Sequence, residues 1–97
     1  MLSSARQEWV HVPPTPGVFT VNIGDMMMRW TNDRYSSTIH RVINLSNRDR
    51  FSVPFFFNPN LETEVACLET CRSDKEPKEP VVSKDVLEDF YRRAGYI

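Results

Sequence analysis

Tyr35-Ser36-Ser37-Thr38-Ile39-His40-Arg41-Val42-Ile43-Asn44, then Leu45-Ser46-Asn47-Arg48-Asp49, then Arg50-Phe51-Ser52-Val53-Pro54-Phe55-Phe56-Phe57, is the stretch that decides the fold. Two runs rich in β-branched and aromatic residues flank a polar segment with the composition of a hairpin loop. The pattern predicts strands over 35–44 and 50–57, and Pro54 marks the second as an edge strand or a bulged one. Because side chains alternate along a strand, Thr38, His40 and Val42 share one face. Arg50, Ser52, Pro54 and Phe56 share another.

Upstream, Val10 and Val12 alternate with polar neighbours until Pro13, Pro14 and Pro16 end the run in a turn closed by Gly17. Residues 18–23 form a second apolar run ending at Gly24-Asp25. Asp25 is expected to cap a single helical turn over 26–30, and Thr31-Asn32-Asp33 supplies the next turn. Downstream, 63–68 suits a fifth, shorter strand. The charged, proline-containing stretch around 73–80 reads as a linker. Ser83 is the expected N-cap of a terminal helix that carries Val86, Leu87, Phe90 and Tyr91 on one face, with Arg92 and Arg93 before Gly95. Trp9, Phe19 and Trp30 are expected in the core, whereas His11 reads as a surface residue.

These elements predict a mostly-β chain, part of a sandwich or jelly roll, with a short helical turn and a C-terminal α-helix. So few strands leave sheet edges and an apolar face open, which favours self-association or a further set of strands as partner. With 97 residues and a net charge of -1, the sequence is ordinary for a globular domain. Its Lys and Arg are dispersed, so it lacks the basic footprint of a nucleic-acid binder. No stretch has the features of a signal peptide or a membrane span. Cys67 and Cys71 read as free thiols, which points to a reducing compartment and a cytoplasmic location.

The chemistry-bearing residues lie in the opening stretch. The imidazole of His40 suits a first-row metal such as Fe(II). The planar guanidinium of Arg50 matches a carboxylate bidentately, and Ser52 adds a neutral donor to the same group. Phe56 shares their face and is placed to stack on an aromatic substrate. No acid, base and nucleophile set stands at a motif spacing, so a hydrolase is disfavoured.

Five segments occur in a characteristic order: Val12-Pro13-Pro14 with Pro16-Gly17; Val21-Asn22-Ile23-Gly24-Asp25; Trp30-Thr31-Asn32; Ser37 to Val42; and Arg50 to Phe56. In that order the chain resembles the C-terminal half of an isopenicillin N synthase-like, Fe(II)/2-oxoglutarate-dependent dioxygenase. The resemblance runs from about residue 2 to residue 68, and the terminal helix is similar to the family's tail. It implies a partial double-stranded β-helix over 1–70, a linker over 71–82 and a C-terminal helix over 83–97. It also implies Fe(II) as cofactor, 2-oxoglutarate as cosubstrate and a small molecule as substrate. Hydroxylation, desaturation and ring closure are all compatible with it. His40 matches the last of the family's three iron ligands, and Arg50 and Ser52 match the pair that grips 2-oxoglutarate.

One departure carries equal weight. The other two ligands come from a His-x-Asp pair, yet His11 is followed by Val12-Pro13 and His40 by Arg41-Val42. The sequence therefore supplies one of three ligands. The expectation is a fragment of an oxidoreductase that is inactive alone. The alternative is a non-catalytic jelly-roll module that binds a partner.

Overall fold

A computed structural model describes residues 1–97 as two compact units. Met1–Asn22 and Thr38–Phe57 make the first, and Ile23–Ser37 with Asn58–Ile97 make the second.

The first unit contains one regular element, a hairpin of β1 (Leu2–Ser3) and β2 (Glu8–Trp9), paired Leu2↔Trp9 and Ser3↔Glu8. Its turn is closed by the Gln7 N–H donating to Ser3 O at 2.7 Å, with Gln7 at φ 55. The Met1 amine and the Val10 N–H exchange bonds with the opposite carbonyls at 2.8 and 2.6 Å, which extends the pairing past both strand ends. Beyond it, the Val18 N–H donates to Thr15 O with Pro16 and Gly17 between them and Gly17 at φ 74. Pro before a left-handed Gly is the signature of a type II turn, so the proline-rich run turns where its composition says it should.

The expected strands over 18–23, 35–44 and 50–57 carry no ladder hydrogen bonds. A single backbone bond, Leu2 N–H to Ile39 O at 2.8 Å, joins the His40 segment to the hairpin. β-Branched and aromatic residues favour a pleated surface only where a neighbouring strand or helix covers it, and nothing in this unit does so. Phe19, expected in the core, is 92% exposed, and Trp9 also lies at the surface. The polar loop between the two runs is nevertheless organised. Asn44 Oδ1 accepts from the Ser46 N–H and hydroxyl at 3.1 and 2.8 Å, and its Nδ2 donates to Arg48 O at 3.0 Å. That is an Asx turn, held by one side chain rather than by flanking strands.

The second unit is built around α1 (Asp25–Trp30), β3 (Glu64–Val65), a 3-10 turn (Glu69–Cys71), β4 (Val81–Val82) and α2 (Ser83–Arg93). β3 and β4 pair antiparallel, Glu64↔Val82 and Val65↔Val81, so the expected strand over 63–68 forms only at its start. Val65 is the one fully buried apolar side chain. Thr31, also buried, spends its hydroxyl on Met27 O at 2.8 Å and accepts the Tyr35 N–H at 3.2 Å.

Both expected caps are corrected. Asp25 and Ser83 are each the first residue of their helix, following Gly24 and Val82, and neither side chain caps a backbone amide. At α2 the job falls to two carbonyls of the preceding loop: the Ser83 N–H donates to Thr63 O at 2.8 Å and the Lys84 N–H to Leu61 O at 3.0 Å. With its own first amides already satisfied, the buried Ser83 hydroxyl turns to Met26 Sδ at 3.8 Å instead.

The two helices end alike. At α1 the Asn32 and Asp33 N–H groups reach back to Arg29 O and Met28 O, with Asn32 at φ 51. At α2 the Gly95 and Tyr96 N–H groups reach Arg92 O and Tyr91 O, with Gly95 at φ 80. Both are Schellman endings, which need a left-handed residue directly after the C-cap, and Asn and Gly are the residues that tolerate it.

The stretch read as a linker is tied down over part of its length. Asn32 Nδ2 donates to Lys75 O at 3.1 Å, and Arg29 Nη1 donates to Glu79 O at 2.6 Å. Asp33 takes ion pairs from Lys75 and, at 3.4 Å, from Lys78. These bonds make 73–79 a strap across the end of α1.

Candidate functional site

The four residues singled out in the sequence, His40, Arg50, Ser52 and Phe56, all fall in the first unit, on segments without ladder bonds. His40 is exposed, and its Nδ1 lies 2.9 Å from Thr38 O. A carbonyl oxygen only accepts, so Nδ1 carries the proton in this bond. In the neutral ring, the lone pair available to a ligand is then on Nε2.

The residues on either side of His40 each contact the hairpin, Ile39 through its backbone and Arg41 through its side chain. Ile39 O accepts the Leu2 N–H at 2.8 Å, and the Arg41 guanidinium carbon lies 4.1 Å from the centre of the Trp9 ring. A cation over an indole face at an exposed site contributes about 0.5–1 kcal/mol. Neither contact was foreseen from the sequence. Trp9 and Arg41 lie far apart in the chain, and only the hairpin's placement brings them together.

Arg50 and Ser52 are exposed, and neither makes a side-chain hydrogen bond or ion pair within the chain. Their donors are therefore uncommitted. Phe56 is 71% exposed, with Phe55 and Phe57 more so. No hydrogen bond or ion pair joins His40, Arg50 and Ser52, so the structure does not assemble them into one constellation.

An iron ion needs more than this chain presents. No group of three His, Cys, Asp or Glu side chains comes close enough to hold a metal. A facial triad needs three donors, and the chain supplies no second or third donor beside His40. The concavity of about 450 Å³ in the second unit is lined by residues of α1, β4 and α2, including Asp25, Met26, Arg29 and Asp85, and by none of the four candidates. Cys67 and Cys71 are both free and half-buried.

Asp33 is the titratable group most affected by its surroundings. The hydrogen bond from Lys75 holds its carboxyl below the usual aspartate range, assisted by the charge of Lys75 and by Lys78, against a smaller opposing effect of desolvation. Its role is in the strap.

Comparison with known proteins places the chain in a family. The chain is 42% identical over 96 residues to a 2-oxoglutarate-Fe(II) type oxidoreductase, hxnY, of Emericella nidulans, covering 97% of this chain and 28% of that protein. It is 48% identical over 65 residues to a homoarginine-6-hydroxylase of Oryza sativa subsp. japonica, 67% of this chain and 20% of the relative. A bi-functional coumaroyl CoA and feruloyl CoA ortho-hydroxylase of Ipomoea batatas is 41% identical over 91 residues, 92% of this chain and 25% of its own length. The chain thus spans between a fifth and about 28% of these relatives. No solved structure matches significantly. The family model of the 2OG-Fe(II) oxygenase superfamily matches residues 2–59, a span that holds His40, Arg50, Ser52 and Phe56, and the chain belongs to that superfamily.

Proposed function

We propose that this chain carries the last iron ligand and the cosubstrate clamp of an Fe(II)/2-oxoglutarate-dependent oxidoreductase that acts on a small organic molecule. His40 is the ligand, Arg50 and Ser52 hold the distal carboxylate of 2-oxoglutarate, and Phe56 lines the substrate side. The observation that carries this reading is the family match over 2–59, a span that contains all four residues. The donors left free on Arg50 and Ser52 support it, because a carboxylate clamp must not be spent on internal partners. The surrounding fold is the double-stranded β-helix, completed by strands and a His-x-Asp pair from outside this sequence. The working compartment is the reducing cytoplasm, in keeping with two free thiols.

Substrates of the relatives, by their names, include homoarginine, coumaroyl CoA and feruloyl CoA. These differ in charge and size, so a small organic molecule is the class they support for this chain. Alone, the 97-residue chain binds Fe(II) weakly and does not turn over 2-oxoglutarate, because one imidazole does not make a triad. Anaerobic titration with Fe(II), followed by measurement of succinate release, tests this directly. Tight one-to-one binding with succinate production would overturn it.

A further inference from the structure

We propose that Cys67 and Cys71 are a modification site: by exchange with a small-molecule disulfide they close into a reversible intramolecular disulfide that frees the 69–71 turn from α1. Both residues lie beyond the matched span 2–59 and within the second unit, so the inference stands apart from the proposed function and does not rest on it.

The two thiols flank one turn. Cys67 stands two residues past the end of β3, and Cys71 is the last residue of the 3-10 turn Glu69–Cys71. Both are free and half-buried, which leaves each sulfur within reach of a small reagent. Leu68, between them, gathers both. Its carbonyl oxygen accepts the Cys67 thiol at 3.4 Å and the Cys71 N–H at 2.9 Å. Its own N–H donates to Trp30 O at 2.8 Å, the bond that ties the turn to the last residue of α1.

Leu68 is extended, at φ -62 and ψ 139, and is the residue that holds Cys67 off the coiled segment after it. A disulfide needs Cα atoms about 4.4–6.8 Å apart. Were Leu68 to turn into the helical region, Cys67 and Cys71 would stand four apart on one helical face, with Cα atoms about 6 Å apart. Rotation about its ψ leaves the Leu68 carbonyl fixed to the turn, so the Cys71 N–H keeps its acceptor. The same rotation redirects the Leu68 N–H, and the tie to Trp30 O is lost.

The chemistry balances with glutathione disulfide as oxidant. One thiolate attacks a glutathione sulfur, forming a mixed disulfide and releasing one glutathione thiolate; the other attacks the protein-side sulfur, forming the Cys67–Cys71 bond and releasing the second. Two cysteines lose two electrons, and one glutathione disulfide becomes two glutathiones. Tethering gives the second thiol an effective concentration on the order of millimolar, so the mixed disulfide gives way when free glutathione is scarcer than that. In a reducing compartment such a bond is transient and redox-sensing.

The full 97-residue chain is equilibrated with micromolar glutathione disulfide, quenched in acid, alkylated with N-ethylmaleimide and weighed by mass spectrometry. The expected product is lighter by two hydrogens, carries neither maleimide nor glutathione, and returns to the dithiol in excess glutathione. In it the Leu68 amide should exchange roughly tenfold faster than in the reduced chain, while the Cys71 amide changes by less than about twofold. Cys67→Ser and Cys71→Ser should each stop at the mixed disulfide with the Leu68 amide unchanged. Mixed or intermolecular disulfides as the parent's main product would overturn the site. A closed disulfide with unchanged Leu68 exchange would overturn the release from α1.

Discussion

A guanidinium with no internal partner is a strong commitment in so small a chain, and Arg50 offers the sharpest single-residue test. In a chimera with a homologous N-terminal half carrying His-x-Asp, Arg50→Lys should weaken 2-oxoglutarate binding while leaving iron binding nearly unchanged. Lys keeps the charge but lacks the two parallel donors that match a carboxylate. Losing a charge-assisted bond of this kind costs about 1.5–3 kcal/mol, roughly a tenfold to hundredfold rise in Kd. Ser52→Ala should act on the same ligand more mildly, since it removes one neutral donor. Calorimetric titration with 2-oxoglutarate over a redox-inert metal reads both effects. Unchanged affinity in Arg50→Lys would move the clamp elsewhere. At this scale the sequence was informative for a physical reason. Imidazole, guanidinium and hydroxyl have chemistry of their own, so His40, Arg50 and Ser52 stand out before any fold is known. Trp9 was read as a core residue, because an indole is useful wherever apolar area is needed, yet it lies at the surface with Arg41 over its ring.

Local rules set the helix ends, and they make predictions of their own. Gly95 at φ 80 closes α2, so Gly95→Ala should destabilise that ending by about 1–2 kcal/mol. Circular dichroism should record less helix, and amide exchange should show faster opening of 91–96. Asn32 performs two tasks at the end of α1, adopting the left-handed angle and donating to Ser73 and Lys75. Asn32→Gly separates them. The helix ending should survive while amides in 73–79 exchange faster, and unchanged exchange there would mean that the strap is held by Asp33 and Arg29 alone. The Asp33 contribution has a definite pH sign. Its folded pKa is depressed by Lys75, so the docking it provides is fully present above the usual aspartate range and is lost as pH falls through the lower folded value. Protection of 73–79 should therefore persist into mild acid and fall only below it. The helices, the Pro16-Gly17 turn and the loop after Asn44 were legible because each depends on neighbours in sequence. The strap was not. Charged residues and prolines in 73–80 look the same whether they are solvated or paired with a turn some forty residues away.

Across the whole chain, the expected sheet is where sequence and structure part. The runs 18–23 and 50–57 have strand composition, yet a strand is a relation between segments, and this chain contains no partner that ladders with them. Phe51, Val53, Phe55 and Phe57 fall on one face by alternation, and each remains widely exposed. With Val65 as the one fully buried apolar side chain, the chain lacks the core that gives a cooperative transition. Thermal unfolding of the isolated chain should be broad, with strong binding of a hydrophobic dye already at low temperature. Fusion to a homologous N-terminal half should sharpen the transition and abolish the dye signal. A sharp, dye-free transition in the isolated chain would contradict this account of its exposed face.

The absence of ladder bonds over 38–57 also sets a lifetime. A protease must draw several residues of backbone into its cleft, and here no hydrogen-bonded sheet has to be dismantled first. The same stretch offers Phe51, Phe55, Phe56 and Phe57 as exposed cleavage points for a chymotrypsin-like enzyme. The four candidate residues therefore sit on a part of the chain expected to be cut before β3, β4 and α2. Limited proteolysis of the 97-residue chain should therefore release fragments from 38–57 first.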